Sequence, residues 1–160
     1  MLLNTFRFGE IEIDDAKVIT FAEGLPGFEE LKTFTLLTTE DTRPLLWMQA
    51  IENGDIALPV IDPFEVLGDY GFELSEADMH SLEVDSLEKL LVLNVAVIPR
   101  DLSGMTANMA APVIVNVAIN KGKQILLEGK EYNVRRPIFT DVMKFLQRGE
   151  ADAGTEQKSE

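Results

Sequence analysis

The sequence predicts an all-β domain, mainly antiparallel, built as a small β-barrel-like or sandwich fold with short helical turns and a C-terminal helix. Three observations support this fold class. Most segments alternate between apolar and polar residues with a period of two, or are short apolar runs rich in β-branched residues. Turn-forming residues separate these runs at short intervals. Patterns typical of helices are few, and only one of them exceeds two turns.

About eight strands are predicted. In the first predicted segment, the apolar residues Phe6, Phe8, Ile11 and Ile13 surround a turn or bulge at Gly9-Glu10. Asn53-Gly54 is a strong hairpin signal between the fourth and fifth predicted strands, and the turn at 120–123 predicts a second hairpin between the last two. The strands after the first segment are predicted at 17–21, 33–38, 44–51, 56–61, 90–98, 112–119 and 124–128.

Single helical turns are predicted at 28–32, 75–79 and 85–90, and a longer helix at 137–148. The longer helix has Pro137 near its start and Thr140 or Asp141 as a possible cap. Its apolar stripe, spaced i, i+3, i+4, consists of Val142, Phe145 and Leu146. Residues 1–148 therefore form one predicted domain. The acidic segment 149–160 lacks large apolar residues, and we expect it to be a disordered tail.

The chain is strongly acidic, with 14 basic and 28 acidic residues and a formal net charge of −14. A surface of this charge repels phosphate backbones, which disfavours direct nucleic-acid binding, and it attracts basic protein partners. Acidity that serves only solubility is the alternative interpretation. The densest acidic stretch lies between Glu65 and Glu88. No apolar run reaches the length of about 18 residues that a membrane helix needs, so we expect a soluble cytoplasmic protein without membrane contact.

No set of residues indicates catalysis, a cofactor or a metal site. The absence of cysteine excludes thiolate ligands and cysteine nucleophiles. His80 is the only histidine, and we interpret it as a surface residue in an acidic loop. Carboxylates are numerous enough that a hydrolytic pair remains an alternative, but no pair stands out.

The segment 99–116 is a loop of small and polar residues that leads into an apolar strand. Asn108 and Asn116 in this segment are typical of residues that bond nearby main-chain groups. A direct contact between Asn108 and a partner is the alternative interpretation.

Five short motifs carry a family likeness: EGLPGF at 23–28, IDP at 61–63, DY at 69–70, TANMAAPVIVN at 106–116 and QIL at 124–126. Taken together, they resemble the flagellar assembly factor FliW family from about residue 6 to residue 138. Met109 stands where leucine is more often expected. The resemblance implies a small antiparallel β-barrel-like protein without catalytic activity. It also implies that the chain binds flagellin through flagellin's terminal helical region, and that it binds the basic RNA-binding dimer CsrA, the carbon storage regulator. Binding of CsrA would relieve repression of flagellin mRNA, so that export of flagellin switches the factor from one partner to the other.

Together, charge and resemblance predict a protein-binding surface in the acidic stretch and at the Asn108 loop. The predicted binding residues are Glu65, Asp69, Glu73, Glu76, Asp78, Glu83, Asp85 and Asn108. We expect the free chain to be monomeric. An acidic binding module or inhibitor unrelated to flagella is the alternative function.

Overall fold

In the computed structural model of the chain, residues 1–129 and 132–159 are described. They form eleven strands, two α-helices and several 3-10 turns. The strands are β1 (Leu2–Thr5), β2 (Gly9–Glu12), β3 (Ile19–Thr20), β4 (Thr33–Thr38), β5 (Leu46–Ala50), β6 (Ala57–Ile61), β7 (Leu91–Val97), β8 (Thr106–Ala107), β9 (Val113–Asn116), β10 (Lys121–Gln124) and β11 (Arg136–Pro137). The helices are α1 (Glu76–Ser81) and α2 (Phe139–Ser159). Neither helix, within the described residues, is long and apolar enough to span a bilayer.

Seven strands close into a barrel in the order β7-β6-β5-β4-β3-β10-β9, and the pairing of β9 with β7 completes the ring. Neighbouring strands are antiparallel except β3 and β10, which pair in parallel at Thr20 and Lys121. Strands β8 and β11 extend from β7 outside the ring, while β1 and β2 form a separate hairpin. The predicted mainly antiparallel, barrel-like fold is therefore confirmed.

The barrel wall at β7 and β9 is buried on both faces. Three side chains, those of Val113, Val115 and Leu93, point into the barrel interior. They pack there against buried side chains of other barrel strands. Ile114 and Val92 alternate with them and point outward into a second cluster. Period-two alternation thus serves two cores, which is why β9 reads as an unbroken apolar run.

The second cluster is covered by an outer layer that consists of the connection between β6 and β7, the loop after β8, and α2. The buried residues there are Tyr70 and Leu82 from the connection, Met109 from the loop, Ile138 just before α2, and Val142 in the first turn of α2. Since this connection carries the densest acidic stretch, its apolar side chains hold the acidic ones at the surface of the barrel.

The first turn lies earlier than predicted. It spans residues 6–8, and Gly9 already belongs to β2. The Thr5 hydroxyl accepts a hydrogen bond from the Phe8 main-chain N–H (2.9 Å) and donates to the Gly9 carbonyl (2.7 Å), which closes the turn. Gly9 has φ +68°, a left-handed conformation that favours glycine, so its role is to end the turn rather than to centre it.

The last predicted hairpin exists, but its turn spans 117–120 and its second strand starts at Lys121 rather than at 124. The Asn116 side chain accepts from the Ala118 N–H (3.2 Å), and Asn120 has φ +55°, so the two asparagines shape the turn. The predicted strand at 17–21 shortens to β3 because Asp14 caps a 3-10 turn at Asp15–Lys17.

The helix predictions were partly wrong. Residues 28–32 form turns rather than a helical turn, since Phe28 makes an isolated bridge with Leu25. The capped turn at 75–79 is α1, with the Ser75 hydroxyl accepting from the Asp78 N–H (3.1 Å). Pro137 belongs to β11, so α2 begins at Phe139, and neither Thr140 nor Asp141 caps it.

The end of α2 was also mispredicted. The helix ends at Ser159 rather than at residue 148, and alanine, glutamate, glutamine and lysine in this part of the chain are good helix formers. Glu160 lies outside the described residues. The division into a domain at 1–148 and a tail stays a prediction.

Candidate protein-binding surface

The connection from residue 62 to residue 90 carries all seven acidic residues that we predict to bind a partner. It contains a 3-10 turn at Pro63–Glu65, helix α1, and a second 3-10 turn at Leu87–Lys89. Local capping explains these short elements, because Asp62 bonds the Phe64 N–H (2.9 Å) and Ser86 bonds the Glu88 N–H (3.3 Å). These acidic residues therefore lie on a segment whose apolar side chains cover the outer cluster.

Four of the seven carboxylates are in ion pairs with cations of this same chain. One of these pairs joins Glu83 to Lys121. The other three, with N–O distances of 2.8 to 3.7 Å, are Asp78–Lys123, Asp85–Lys89 and Glu65–Arg148. A carboxylate already paired with a cation offers less field to a partner, so these four residues attract a basic ligand less than unpaired carboxylates do.

The remaining three predicted carboxylates, Asp69, Glu73 and Glu76, are exposed. Within residues 1–129 and 132–159 none of them forms an ion pair. They are the strongest candidates in the acidic stretch for attracting a basic partner.

The ion pairs also act as tethers between the connection and β10. A hydrogen bond from Lys123 lowers the pKa of Asp78, and the same contact raises the pKa of Lys123. A hydrogen bond from Lys121 likewise lowers the pKa of the Glu83 carboxyl. Both carboxylates are therefore charged at neutral pH, and both fasten the segment around α1 to neighbouring positions of one strand.

The Asn108 side chain bonds its own loop. Its Oδ1 accepts from the main-chain N–H groups of Ala110 and Ala111, each at 3.1 Å. The fully buried Asn94 donates to the Asn108 carbonyl (2.7 Å), and Tyr70 donates to the Met109 carbonyl (2.7 Å). Burial raises the pKa of the Tyr70 hydroxyl, which keeps it a donor. These contacts give Asn108 a structural role, while its contact with a partner stays a prediction.

Asn116 also bonds the main chain. Its Nδ2 donates to the Leu82 carbonyl (2.8 Å), so this side chain joins β9 to the end of the segment around α1. Asn94 had no part in the sequence prediction, although an asparagine inside a run as apolar as LVLNVAV is a signal of a buried polar contact.

A groove of about 570 Å³, absent from the sequence predictions, lies between the acidic connection and the segment after β10. One wall consists of residues 71–73 and Ser75, and the other consists of residues 125–129. Glu73 and Asp78, two of the predicted binding residues, line it together with the aromatic rings of Phe72 and Tyr132. The sequence does show the alternation in GFEL at 71–74 and the predicted strand at 124–128. Nothing in the sequence, however, indicates that these two segments lie opposite each other.

The described residues contain no group of three or more histidine, aspartate or glutamate side chains placed to hold a metal ion. His80 lies in the last turn of α1, where it is exposed, and it lowers the pKa of Glu83 only as the weakest contributor.

Comparison with known proteins supports the resemblance found in the motifs. The sequence model of the FliW protein family matches residues 2–138. The chain belongs to the FliW family. It is 42% identical over 143 residues to the flagellar assembly factor FliW of Thermoanaerobacter pseudethanolicus, an alignment that covers 89% of this chain and 95% of the relative. It is 37% identical over 144 residues to the flagellar assembly factor FliW of Clostridium tetani, covering 90% and 99% of the two chains.

The fold of this chain is also similar to that of a solved structure. The crystal structure of a flagellar assembly factor FliW superposes with a TM-score of 0.81 at 27% sequence identity, covering 87% of this chain and 97% of the other. Because the family match ends at residue 138, it includes the barrel, the acidic connection and both walls of the groove, and it excludes the whole of α2.

Proposed function

We propose that this chain is a non-enzymatic, cytoplasmic flagellar assembly factor that binds flagellin and CsrA and regulates flagellin translation by switching between them. Membership of the FliW family, with relatives that are named flagellar assembly factors and match nearly end to end, is the observation that carries the proposal. The exposed carboxylates Asp69, Glu73 and Glu76 agree with it, since a basic dimer is attracted to such a surface. The free chain is proposed to be a monomer.

The regulatory step requires no covalent chemistry. A strongly acidic protein bound to a basic RNA-binding dimer places negative charge close to the path of the RNA backbone, which raises the free energy of RNA binding whether or not the RNA site is covered. Flagellin competes for the free pool of the chain, so its export releases the chain to bind CsrA.

Titration calorimetry with purified CsrA and with flagellin tests the proposal. Both should bind the full chain, and binding of CsrA should weaken as salt rises, because the Debye length falls from about 10 Å at 0.1 M to about 3 Å at 1 M. Absence of binding to both proteins would instead favour an acidic module unrelated to flagella.

Two triple variants with equal charge loss separate location from net charge. The first neutralises the three carboxylates without ion pairs among the described residues: Asp69→Asn, Glu73→Gln and Glu76→Gln. The second neutralises three carboxylates beyond the residues matched by the family: Glu150→Gln, Asp152→Asn and Glu156→Gln. We expect the first variant to lose several-fold more CsrA affinity than the second. Equal losses would show that only the total charge matters.

A further inference from the structure

The segment 125–129 presents a main-chain edge that has no strand partner among the described residues. It continues the direction of β10, with the Ile125 N–H bonded to the Pro112 carbonyl (3.0 Å) and the Leu127 N–H bonded to the Ala110 carbonyl (2.8 Å). In an extended chain alternate N–H groups point to opposite sides, so those of Leu126 and Glu128 face away from these partners. Neither of the two donates to another main-chain group among the described residues. An edge of this kind is a template for an additional strand.

The opposite wall of the groove has the burial pattern of a strand. Phe72 and Leu74 are partly buried against the outer cluster, whereas Gly71, Glu73 and Ser75 are exposed, which is the alternation of a strand. None of these five residues belongs to a strand of the described structure. Two segments with strand-like patterns thus line one groove, and no strand of the described residues lies between them.

The groove is braced at both ends. At one end the Tyr132 hydroxyl accepts from the Gly71 N–H (3.0 Å) and donates to the Gly71 carbonyl (2.9 Å). Towards the other end the Asp78–Lys123 ion pair, at 2.8 Å, ties α1 to β10. These contacts fix the spacing of the two walls in the free chain, which reduces the ordering cost of binding.

The lining indicates what the groove accepts. Ile125 is buried beneath it, Phe72 is partly buried, and the Leu126 side chain is 76% exposed at the wall. Glu73 and Glu128 also line it, and neither is in an ion pair within the part of the chain that the structure describes. Apolar surface below and carboxylates at the rim complement an extended segment whose apolar and basic side chains alternate.

We propose that this groove binds an extended segment of a protein partner as an added β-strand along the Leu126–Glu128 edge, with lysine or arginine side chains at its carboxylate rim. The proposal rests on the proposed function only in that the segment comes from a protein partner, and it specifies a main-chain mode of recognition.

The test uses the full chain labelled with ¹⁵N and a capped hexapeptide of alternating valine and lysine as the probe. On binding, the amide signals of Leu126 and Glu128 should shift, and their hydrogen exchange should slow. The same peptide with glutamate in place of lysine, or with methylated main-chain nitrogens, should bind about threefold to tenfold more weakly or not at all, given the net value of a main-chain hydrogen bond. No shift at the groove, or equal binding of the methylated peptide, would overturn the proposal.

Two variants of the edge isolate the main-chain donor. Leu126→Pro removes the N–H group, while Leu126→Ala removes the side chain and keeps it, so the proline variant should lose more affinity for the peptide. A spectrum of Leu126→Pro that matches the wild type away from the groove shows that the variant folds. Equal affinity of the two variants would count against strand addition.

Two double variants isolate the charge. The groove variant carries Glu73→Gln and Glu128→Gln, and its matched control carries Glu10→Gln and Glu12→Gln on the β1–β2 hairpin. Only the groove variant should weaken binding of the lysine peptide; equal weakening would reject the rim as the recognition element.

Failure of this proposal is distinguishable from failure of the proposed function. If flagellin and CsrA bind the wild type and Leu126→Pro equally well and the peptide does not bind, the function stands and the groove proposal fails. If the peptide binds at Leu126 but neither protein binds, the groove proposal stands and the flagellar function fails.

Discussion

Replacement of Asn108 by alanine separates a structural role of this residue from a binding role. The substitution removes the acceptor of two hydrogen bonds, from the N–H groups of Ala110 and Ala111 at 3.1 Å each. The main-chain bonds of residue 108, to the Val95 carbonyl and from the Asn94 side chain, stay in place. Since a hydrogen bond contributes about 0.5–1.5 kcal/mol net, losing two should lower the free energy of unfolding by about 1–3 kcal/mol.

Urea denaturation of the wild type and Asn108→Ala measures this loss, and a thermal midpoint provides a second readout. For a domain of this size the midpoint should fall by about 2–4 °C for each kcal/mol lost. Asn108→Asp is the matched control, because a carboxylate keeps the two acceptor positions, and we expect it to retain most of the stability.

Affinity for flagellin and CsrA, measured with the same variants in the folded state, completes the experiment. A structural role predicts that the folded fraction of Asn108→Ala binds as the wild type does. An unchanged urea midpoint together with lost binding would refute this reasoning and make the Asn108 loop part of the binding surface.

Two further predictions concern stability. The lowered pKa of Asp78, caused by its hydrogen bond from Lys123, means that the pair contributes stability above the ordinary carboxyl pKa and loses it as pH falls through the lowered value. Asp78→Asn should therefore lower the thermal midpoint at pH 7, by the equivalent of about 1 kcal/mol or less, and should have little effect on it near pH 2. A loss of stability that is the same at both pH values would contradict a role of the ion pair. Gly122→Ala should lower the free energy of unfolding by about 1–3 kcal/mol, because the new Cβ would lie 2.5 Å from Cε1 of the fully buried Phe21 ring. A urea midpoint equal to that of the wild type would show instead that the ring moves aside.

Most of the strands could be predicted from the sequence because their signals are local. The run TFTLLT alternates over its first four residues, and β4 occupies the predicted residues 33–38. Asn53-Gly54 joins two largely apolar runs, and β5 and β6 pair around it as expected. The first and last turns also have local causes, namely the hydrogen bonds of the Thr5 and Asn116 side chains. Their positions were mispredicted because equally reasonable turns lie one to four residues away.

The acidic stretch could be located from the sequence, but its division into paired and unpaired carboxylates could not. Asp78 is charged in either case, yet only the fold brings Lys123 within 2.8 Å of it. The same holds for Asn94 and Tyr70, whose contacts with the Asn108 loop join parts of the chain that are distant in sequence.

The sequence by itself determined the β class, the family and the acidic character of this protein, since alternation, turn residues, motifs and charge are all properties of short segments. Only the tertiary structure decided that β9 returns to β7 to close the barrel, and that residues 71–75 face residues 125–129 across a groove. Alternation in the sequence shows that a strand has one buried face. It does not show which other strand it pairs with, because any strand with a buried face could pair with it. Which strands become neighbours depends on packing of the whole chain around its two cores.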